Sequence, residues 1–160
     1  MAATLQWRLT GGASNSDPNA SLGGVRSSQS LSATALNNLF DDVAPAEASA
    51  GDTEYRALDL YNYGDATASL ITFWWSTETS SSATTVHNAI EASPINSTTS
   101  IANESTQPAG TSFLGYNSGS KLTLPDIPAG SGCRVWFKRI VTAGALNTTN
   151  DSGAFVAEYA

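Results

Sequence analysis

The sequence predicts an all-β protein built as an antiparallel β-sandwich, and three observations support this class. Short stretches in which apolar and polar residues alternate recur along the 160-residue chain. Clusters of Gly, Pro, Asn and Ser separate these stretches. Sustained helical spacing of apolar residues is scarce. About eight short strands joined by such turns indicate a jelly-roll or Ig-like sandwich, and residues 1–160 are expected to form a single domain.

The first predicted strand is TLQWRLT, residues 4–10. Leu5, Trp7 and Leu9 alternate with polar residues there, so one face of the strand should be buried and the other polar. A glycine-rich segment follows, and we interpret residues 11–53 as a long N-terminal loop region.

One short helix or helical turn is expected within residues 34–43 of that region. Four apolar residues have the required spacing: Leu36, Leu39, Phe40 and Val43. Ser32 could cap the start of this helix, and Pro45 would end it.

The remaining strands are predicted from β-rich stretches between turn signals. Residues 54–62 and 68–77 are joined by YNYGDAT, whose Asn, Gly and Asp tolerate positive φ, so we expect a hairpin whose turn begins at Asn62. Residues 84–91 should form a strand or a short turn. Further strands are expected at 111–114, 120–124, 132–142 and in the C-terminal GAFVAEY.

The stretch GDTEYRALDLYNYG, residues 51–64, holds an unusual density of charge for this chain. In a strand, Leu58 and Leu60 would share the buried face with Glu54 and Arg56. We therefore expect Glu54 and Arg56 to form an ion pair at the mouth of the sandwich or a contact between subunits. No base, nucleophile or metal ligand accompanies them in sequence.

Composition restricts the possible partners. Charged residues make up 13% of the chain and the net charge is −7, whereas nucleic-acid binding usually needs a basic surface. The single cysteine, Cys133, should be a small, half-buried strand residue. No secretory signal and no apolar run of about 20 residues is present. We expect a protein folded in a cytoplasm without cleavage, with neither nucleic acid nor membrane as a partner.

The inventory of catalytic residues is thin. His87 is the only histidine, and no G-x-S-x-G motif accompanies it. One histidine and one cysteine cannot form a closed zinc site. Asn15, Asp17 and Asn19 alternate as in a calcium loop, but Ala20 and Arg26 break that pattern, and a turn is the better interpretation. We predict no enzymatic activity, no catalytic residue, no metal and no cofactor.

Aromatic and basic residues on two strands suggest an interaction surface. Adjacent Trp74 and Trp75 should point to opposite faces, so one of them is a candidate interface anchor. In RVWFKR, residues 134–139, alternate residues place a basic cluster beside an indole. This cluster is either an exposed strand with a cation over the ring or a contact surface for an acidic partner. The candidate interface residues are Trp74, Trp75, Arg134, Trp136, Lys138 and Arg139.

Three stretches carry a family resemblance: WRLTGGASNSDPNASLGG, LFDDVAPAEASAGDTEYRALDLYN and the late VWFKR after an AGSG turn. They resemble short accessory structural proteins of tailed-bacteriophage virions, and the likeness spans most of the chain. The resemblance implies a β-sandwich that coats or reinforces a particle, as capsid decoration (cement) proteins do. It fits a tail or head–tail connector component equally well, and it assigns no functional residue.

The expected function is that of a non-enzymatic virion structural protein assembled in the host cytoplasm. A capsid decoration protein would bind the major capsid protein and form a homo-oligomer, with a trimer suggested by analogy. Loop 11–30 and segment 40–53 are expected to supply contacts, together with the candidate interface residues. The alternative from another class is a carbohydrate-binding module, whose sugar-stacking rings would be Trp74, Trp75, Tyr61, Tyr63 and Tyr116.

Overall fold

The computed structural model describes residues 2–34 and 36–160; Ala35, inside the stretch where a helix is predicted, lies outside the described residues. The larger of two antiparallel sheets has the order β1-β2-β6-β4, and the smaller has the order β5-β3-β7. The predicted all-β antiparallel sandwich is confirmed. The described residues contain seven strands: β1 Leu5–Arg8, β2 Asp52–Asn62, β3 Thr72–Thr77, β4 Thr84–Ile95, β5 Leu122–Thr123, β6 Gly132–Val141 and β7 Ala154–Glu158.

The core lies between the two sheets and follows from the alternation of side chains along each strand. Leu58 of β2 and Phe137 of β6 face Phe73 of β3, and all three are buried. The Trp7 ring of β1 meets Phe73, Phe137 and Phe155 edge to face, at centroid distances of 5.7, 5.9 and 5.5 Å. Each such side chain contributes roughly 1.5–3 kcal/mol by leaving water. The buried face predicted for the first strand is therefore the face that joins the sheets.

The helix predicted within residues 34–43 is wrong. Leu36 and Asn37 have φ values of 68° and 52°, which a right-handed helix does not allow. The helix α1 instead spans Pro45–Ala50, and the Glu47 carboxylate accepts a hydrogen bond from the backbone N–H just before it. Proline suits the first turn because its missing N–H has no helical partner there. No helix within the described ranges is long and apolar enough to cross a membrane.

The predicted hairpin between the second and third strands is also wrong, because β2 and β3 belong to different sheets. The Asn62 carboxamide does start a turn, as expected. Its oxygen accepts from the N–H groups of Thr4 and Gly64 at 3.2 and 3.1 Å. Its nitrogen donates to the carbonyls of Ala66 and Ile127 at 2.8 and 2.9 Å. The turn leads the chain across to the other sheet instead of back along β2.

Other strand predictions fare unevenly. The strand predicted at 132–142 matches β6, and the stretch 84–91 is a strand that continues to the end of β4. The predicted strand at 111–114 is absent from the described chain, where Leu114 makes only an isolated bridge to β4. Of residues 120–124, only the two residues of β5 are a strand.

Two long connections cover the outer face of the larger sheet, and we call residues 10–31 and 96–113 together the loop layer. The Ala57 N–H donates to the Ser21 carbonyl at 2.7 Å, and the Tyr55 N–H donates to the Glu104 carbonyl at 2.7 Å. These bonds attach the two connections to the edge of β2 that β1 leaves unpaired. Ala57 is buried although its side chain points away from the core between the sheets. The central strands of the larger sheet are thus buried on both faces.

Candidate interaction surfaces

Arg134 attaches the loop layer to the sheet. Its guanidinium forms a bidentate pair with the Asp59 carboxylate, with N···O distances of 2.5 and 3.3 Å, and both side chains are buried. It also donates to the carbonyls of Gly24, Ser97 and Thr99 at 2.8, 3.0 and 2.9 Å. Burial raises the pKa of Asp59, and pairing with Arg134 opposes that shift. The prediction that Arg134 lies on an exposed face of its strand is therefore wrong.

Trp136 lies beside this pair under the same loop layer. Its ring is fully buried, and its Nε1–H donates to a carboxylate oxygen of Glu91 at 2.9 Å. Gly23 passes so close that a Cβ there would lie 2.2 Å from the Thr99 carbonyl oxygen and 3.0 Å from the indole. The contacts of Trp136 are internal, and the interpretation of an exposed indole is wrong.

Arg139 lies on the opposite face of β6, at one end of the sandwich. Its Nε donates to Glu54 at 2.6 Å, and its Nη1 donates to the Asp41 carbonyl at 2.6 Å. The guanidinium lies 5.0 Å from the centre of the Phe40 ring. Burial raises the pKa of Glu54, and Arg139 is the main opposing influence. Arg139 thus holds the segment around Phe40 against the sheet and is largely buried.

Arg56 completes this ionic cluster. Its Nη2 lies 2.6 Å from a Glu104 oxygen and 3.6 Å from a Glu54 oxygen. The side chain is fully buried, and it also lies 3.3 Å from the Asn19 amide oxygen. The predicted pairing of Glu54 with Arg56 at the mouth of the sandwich is confirmed. Through Asn19 and Glu104, Arg56 connects β2 to both segments of the loop layer.

The tryptophan pair follows the predicted parity. Trp75 lies in the core, where its Nε1–H donates to the Asn88 amide oxygen at 2.6 Å. Trp74 points to the outer face of the smaller sheet, but the Lys121 ammonium lies 3.6 Å from the ring centre and covers it. Only 8% of Trp74 is exposed, so it offers little area to a partner.

Lys138 is half-buried on the outer face of β6, and it is the least buried of the six candidate interface residues. Its ammonium lies 5.8 Å from the ring centres of both Tyr55 and Phe113. His87 is its neighbour across β4. Cys133 lies in a strand as expected but is fully buried where half-burial was predicted, and burial raises the pKa of its thiol to about 12.

Most of the five proposed sugar-stacking rings are covered. Besides Trp74 and Trp75, the Tyr61 ring is occupied by the guanidinium groups of Arg8 and Arg26, which lie 4.4 and 4.2 Å from its centre. Tyr116 is partly buried against the core, and Tyr63, which is 54% exposed, is the most open of the five rings. A sugar platform usually needs open aromatic faces, and this arrangement leaves little support for the carbohydrate-binding alternative.

A cavity of about 880 Å³ opens at the end of the sandwich where Arg139 lies. We call it the end groove. It is bounded by Trp75 and Phe155 of the smaller sheet, Val86 of the larger sheet, segment 36–43 and loop 145–153. Its volume falls within the range of about 300–1,000 Å³ found for ligand sites.

Asp41 and Asp42 at the rim of the end groove lie in segment 40–53, which the sequence predicts to supply contacts, whereas the sequence patterns did not single out Leu36, Leu146 or Asp151 as part of a site. Leu146 and Leu36 are 85% and 41% exposed there. Asp41, Asp42 and Asp151 line the same opening. Leu146 is the one large apolar residue of loop 145–153, and this is the sequence signal that could have drawn attention to it.

Comparisons with protein-family models, with curated proteins and with solved structures found no match. Within residues 2–34 and 36–160, no group of three or more His, Cys, Asp or Glu side chains is arranged to hold a metal ion.

Proposed function

We propose that this protein is a non-enzymatic structural component of a tailed-bacteriophage virion, a capsid decoration protein that binds the major capsid protein shell. The observation that carries the proposal is the loop layer. Two long connections, which would ordinarily be mobile, are held against a sheet by a buried arginine, a buried tryptophan and main-chain hydrogen bonds. A preordered surface binds without the entropic cost of ordering its loops, which favours a permanent structural contact.

The chemistry of the exposed surface supports the same function. Three of the seven cationic side chains, Arg56, Arg134 and Arg139, are used inside the molecule. Ser, Thr and Asn residues supply much of what the loops expose. Such a surface makes many weak polar contacts, and these add up when a subunit is repeated over a shell.

Co-sedimentation tests the proposal. Capsids assembled from the major capsid protein of the genome that carries this gene would be mixed with the purified protein and separated on a sucrose gradient. The protein should migrate with the capsids and raise the temperature at which they disassemble. Migration with isolated tails instead would identify a tail or connector component, and absence from every virion particle would refute the proposal. Sedimentation of the free protein would measure its oligomeric state.

A further inference from the structure

We propose that the end groove binds an extended segment of a partner protein in which apolar residues alternate with lysine or arginine. The identity of that partner as another virion protein rests on the proposed function. The binding mode is argued from three features of the groove, namely an open strand edge, an apolar floor and an acidic rim.

The strand edge belongs to β7, which borders the groove at Ala154 and Phe155. Within the described residues, β7 forms ladder hydrogen bonds only with β3 and is the last strand of the smaller sheet. Its other edge therefore presents free N–H and C=O groups. Such an edge accepts an extended segment as an additional strand, and the main-chain hydrogen bonds supply affinity.

The floor of the groove would receive alternate side chains of that segment. Trp75, Phe155 and Val86 form it between the two sheets, and Leu146 and Leu36 extend the apolar surface to the rim. Leucine side chains as exposed as these gain free energy when a partner covers them. Because side chains of a strand alternate, every second residue of the bound segment would face this floor.

The charge of the rim determines which residues are favoured at the other positions of the bound segment, those that do not face the apolar floor. Asp41, Asp42 and Asp151 line the groove, whereas its only cationic residue, Arg139, is already paired with Glu54 and Asp41. Asp41 belongs to that pair and also lies 3.8 Å from Arg56, but it retains 49% side-chain exposure. Asp42 is exposed and makes no ion pair among the described residues. Complementarity therefore favours lysine or arginine in the bound segment and disfavours an acidic one.

A second copy of this chain does not offer such a segment. Four of its seven cations, Arg56, Arg134, Arg139 and Lys121, are paired with carboxylates of the same chain. Arg8 and Arg26 lie over one tyrosine ring, and Lys138 lies beside two aromatic rings of the loop-covered face. The occupant is therefore a different chain.

The probe is a short capped peptide of alternating valine and lysine, titrated into the folded protein by calorimetry and by amide NMR. Two control peptides isolate the recognition features: one replaces lysine with glutamate, and the other carries N-methyl groups at alternate positions and cannot form the strand ladder. Asp42→Lys and Leu146→Ser alter the rim at exposed positions. Asp126→Lys is the matched charge control, since Asp126 is exposed at the opposite end of the sandwich.

The valine–lysine peptide should bind with shifts centred on β7, and both control peptides should bind at least about tenfold more weakly. Asp42→Lys should weaken binding by about fivefold or more, and Asp126→Lys by less than about twofold. Equal binding of all three peptides, no binding of any of them, or self-association through β7 that Leu146→Ser abolishes would each overturn the inference.

The groove and the proposed function can fail separately. If the peptide does not bind and Asp42→Lys still co-sediments with capsids, the groove inference is wrong and the decoration function stands. If the peptide binds as described while the protein never co-sediments with a virion particle, the groove is a peptide site and the proposed function is wrong.

Discussion

Removal of the buried Arg134 guanidinium should destabilise this fold more than any exposed charge change. The variant Arg134→Met keeps much of the length of the side chain and removes its hydrogen-bond donors. The Asp59 carboxylate then remains buried without its partner, and three carbonyls of the loop layer lose their donor. The lost interactions lie on the outer face of the sheet, outside the core between the sheets.

The expected magnitude follows from burial on both sides of the pair. Asp59 and Arg134 are 1% and 0% exposed, so the charges gain nothing from water in the folded state. Breaking such a pair from one side costs about 3–5 kcal/mol. Asp59→Asn keeps an oxygen acceptor and the carbonyl contacts of Arg134, so its cost should be nearer about 2–3 kcal/mol. The double variant should cost less than the sum, with a coupling of about 1–3 kcal/mol.

Urea unfolding followed by tryptophan fluorescence measures these free energies, because Trp136 lies under the same loop layer. The control is Glu158→Gln, which removes the exposed ion pair with Lys121 and should change stability by less than about 1 kcal/mol. Proteolysis should also cut Arg134→Met within residues 96–113 faster than the parent protein. A loss of less than about 1 kcal/mol in Arg134→Met, equal to that of the control, would refute the view that this pair anchors the loop layer.

Three further predictions test separate features. Cys133 should resist thiol reagents at pH 8 in the folded protein and react after unfolding. Because burial raises its pKa to about 12, the thiol ionises first in the unfolded chain, and folding stability should fall as the pH rises from about 9 towards 12. Cys133→Ala should make this fall shallower without abolishing it, because burial also raises the pKa of Tyr55 and Tyr116. Gly23→Ala should lower the free energy of unfolding in urea by at least about 2 kcal/mol, because the added Cβ would clash with the Thr99 carbonyl. Gly24→Ala is the control: Gly24 also has a positive φ but no atom within 4 Å of an added Cβ, so the loss should be only about 1 kcal/mol. Lys121→Ala should expose Trp74 and shift its fluorescence to the red, with a stability loss of about 1 kcal/mol; an unchanged spectrum would contradict the cation–π contact.

Strand parity identified the core reliably. Alternation along the first strand placed Trp7 inside, and the parity of Trp74 and Trp75 was confirmed. These assignments succeed because the side-chain period of a strand is a local property. The class of fold followed from the same periodicity and from the turn residues between strands.

Side-chain alternation gave the wrong exposure for Arg134, because β6 is covered on both faces. A polar residue such as Arg134 on the face opposite the core is normally expected to be solvated, and only distant groups overturn this expectation. Its acceptors come from residues up to 110 positions away, and no local pattern encodes that separation. The prediction that Pro45 ends a helix was wrong for another reason, because a proline is compatible both with the first turn of a helix and with the position just after a helix.

The contacts between Arg134 and the loop layer affect how far the amino-acid sequence of this surface can change. The guanidinium holds Gly24, Ser97 and Thr99 by their backbone oxygens, and every residue has such an oxygen. Exchanging the exposed side chains around these anchor points therefore leaves the anchors intact. The conformation of the loops therefore does not depend on which side chains they expose. Substitutions at these exposed positions can change the binding partner while the fold stays the same.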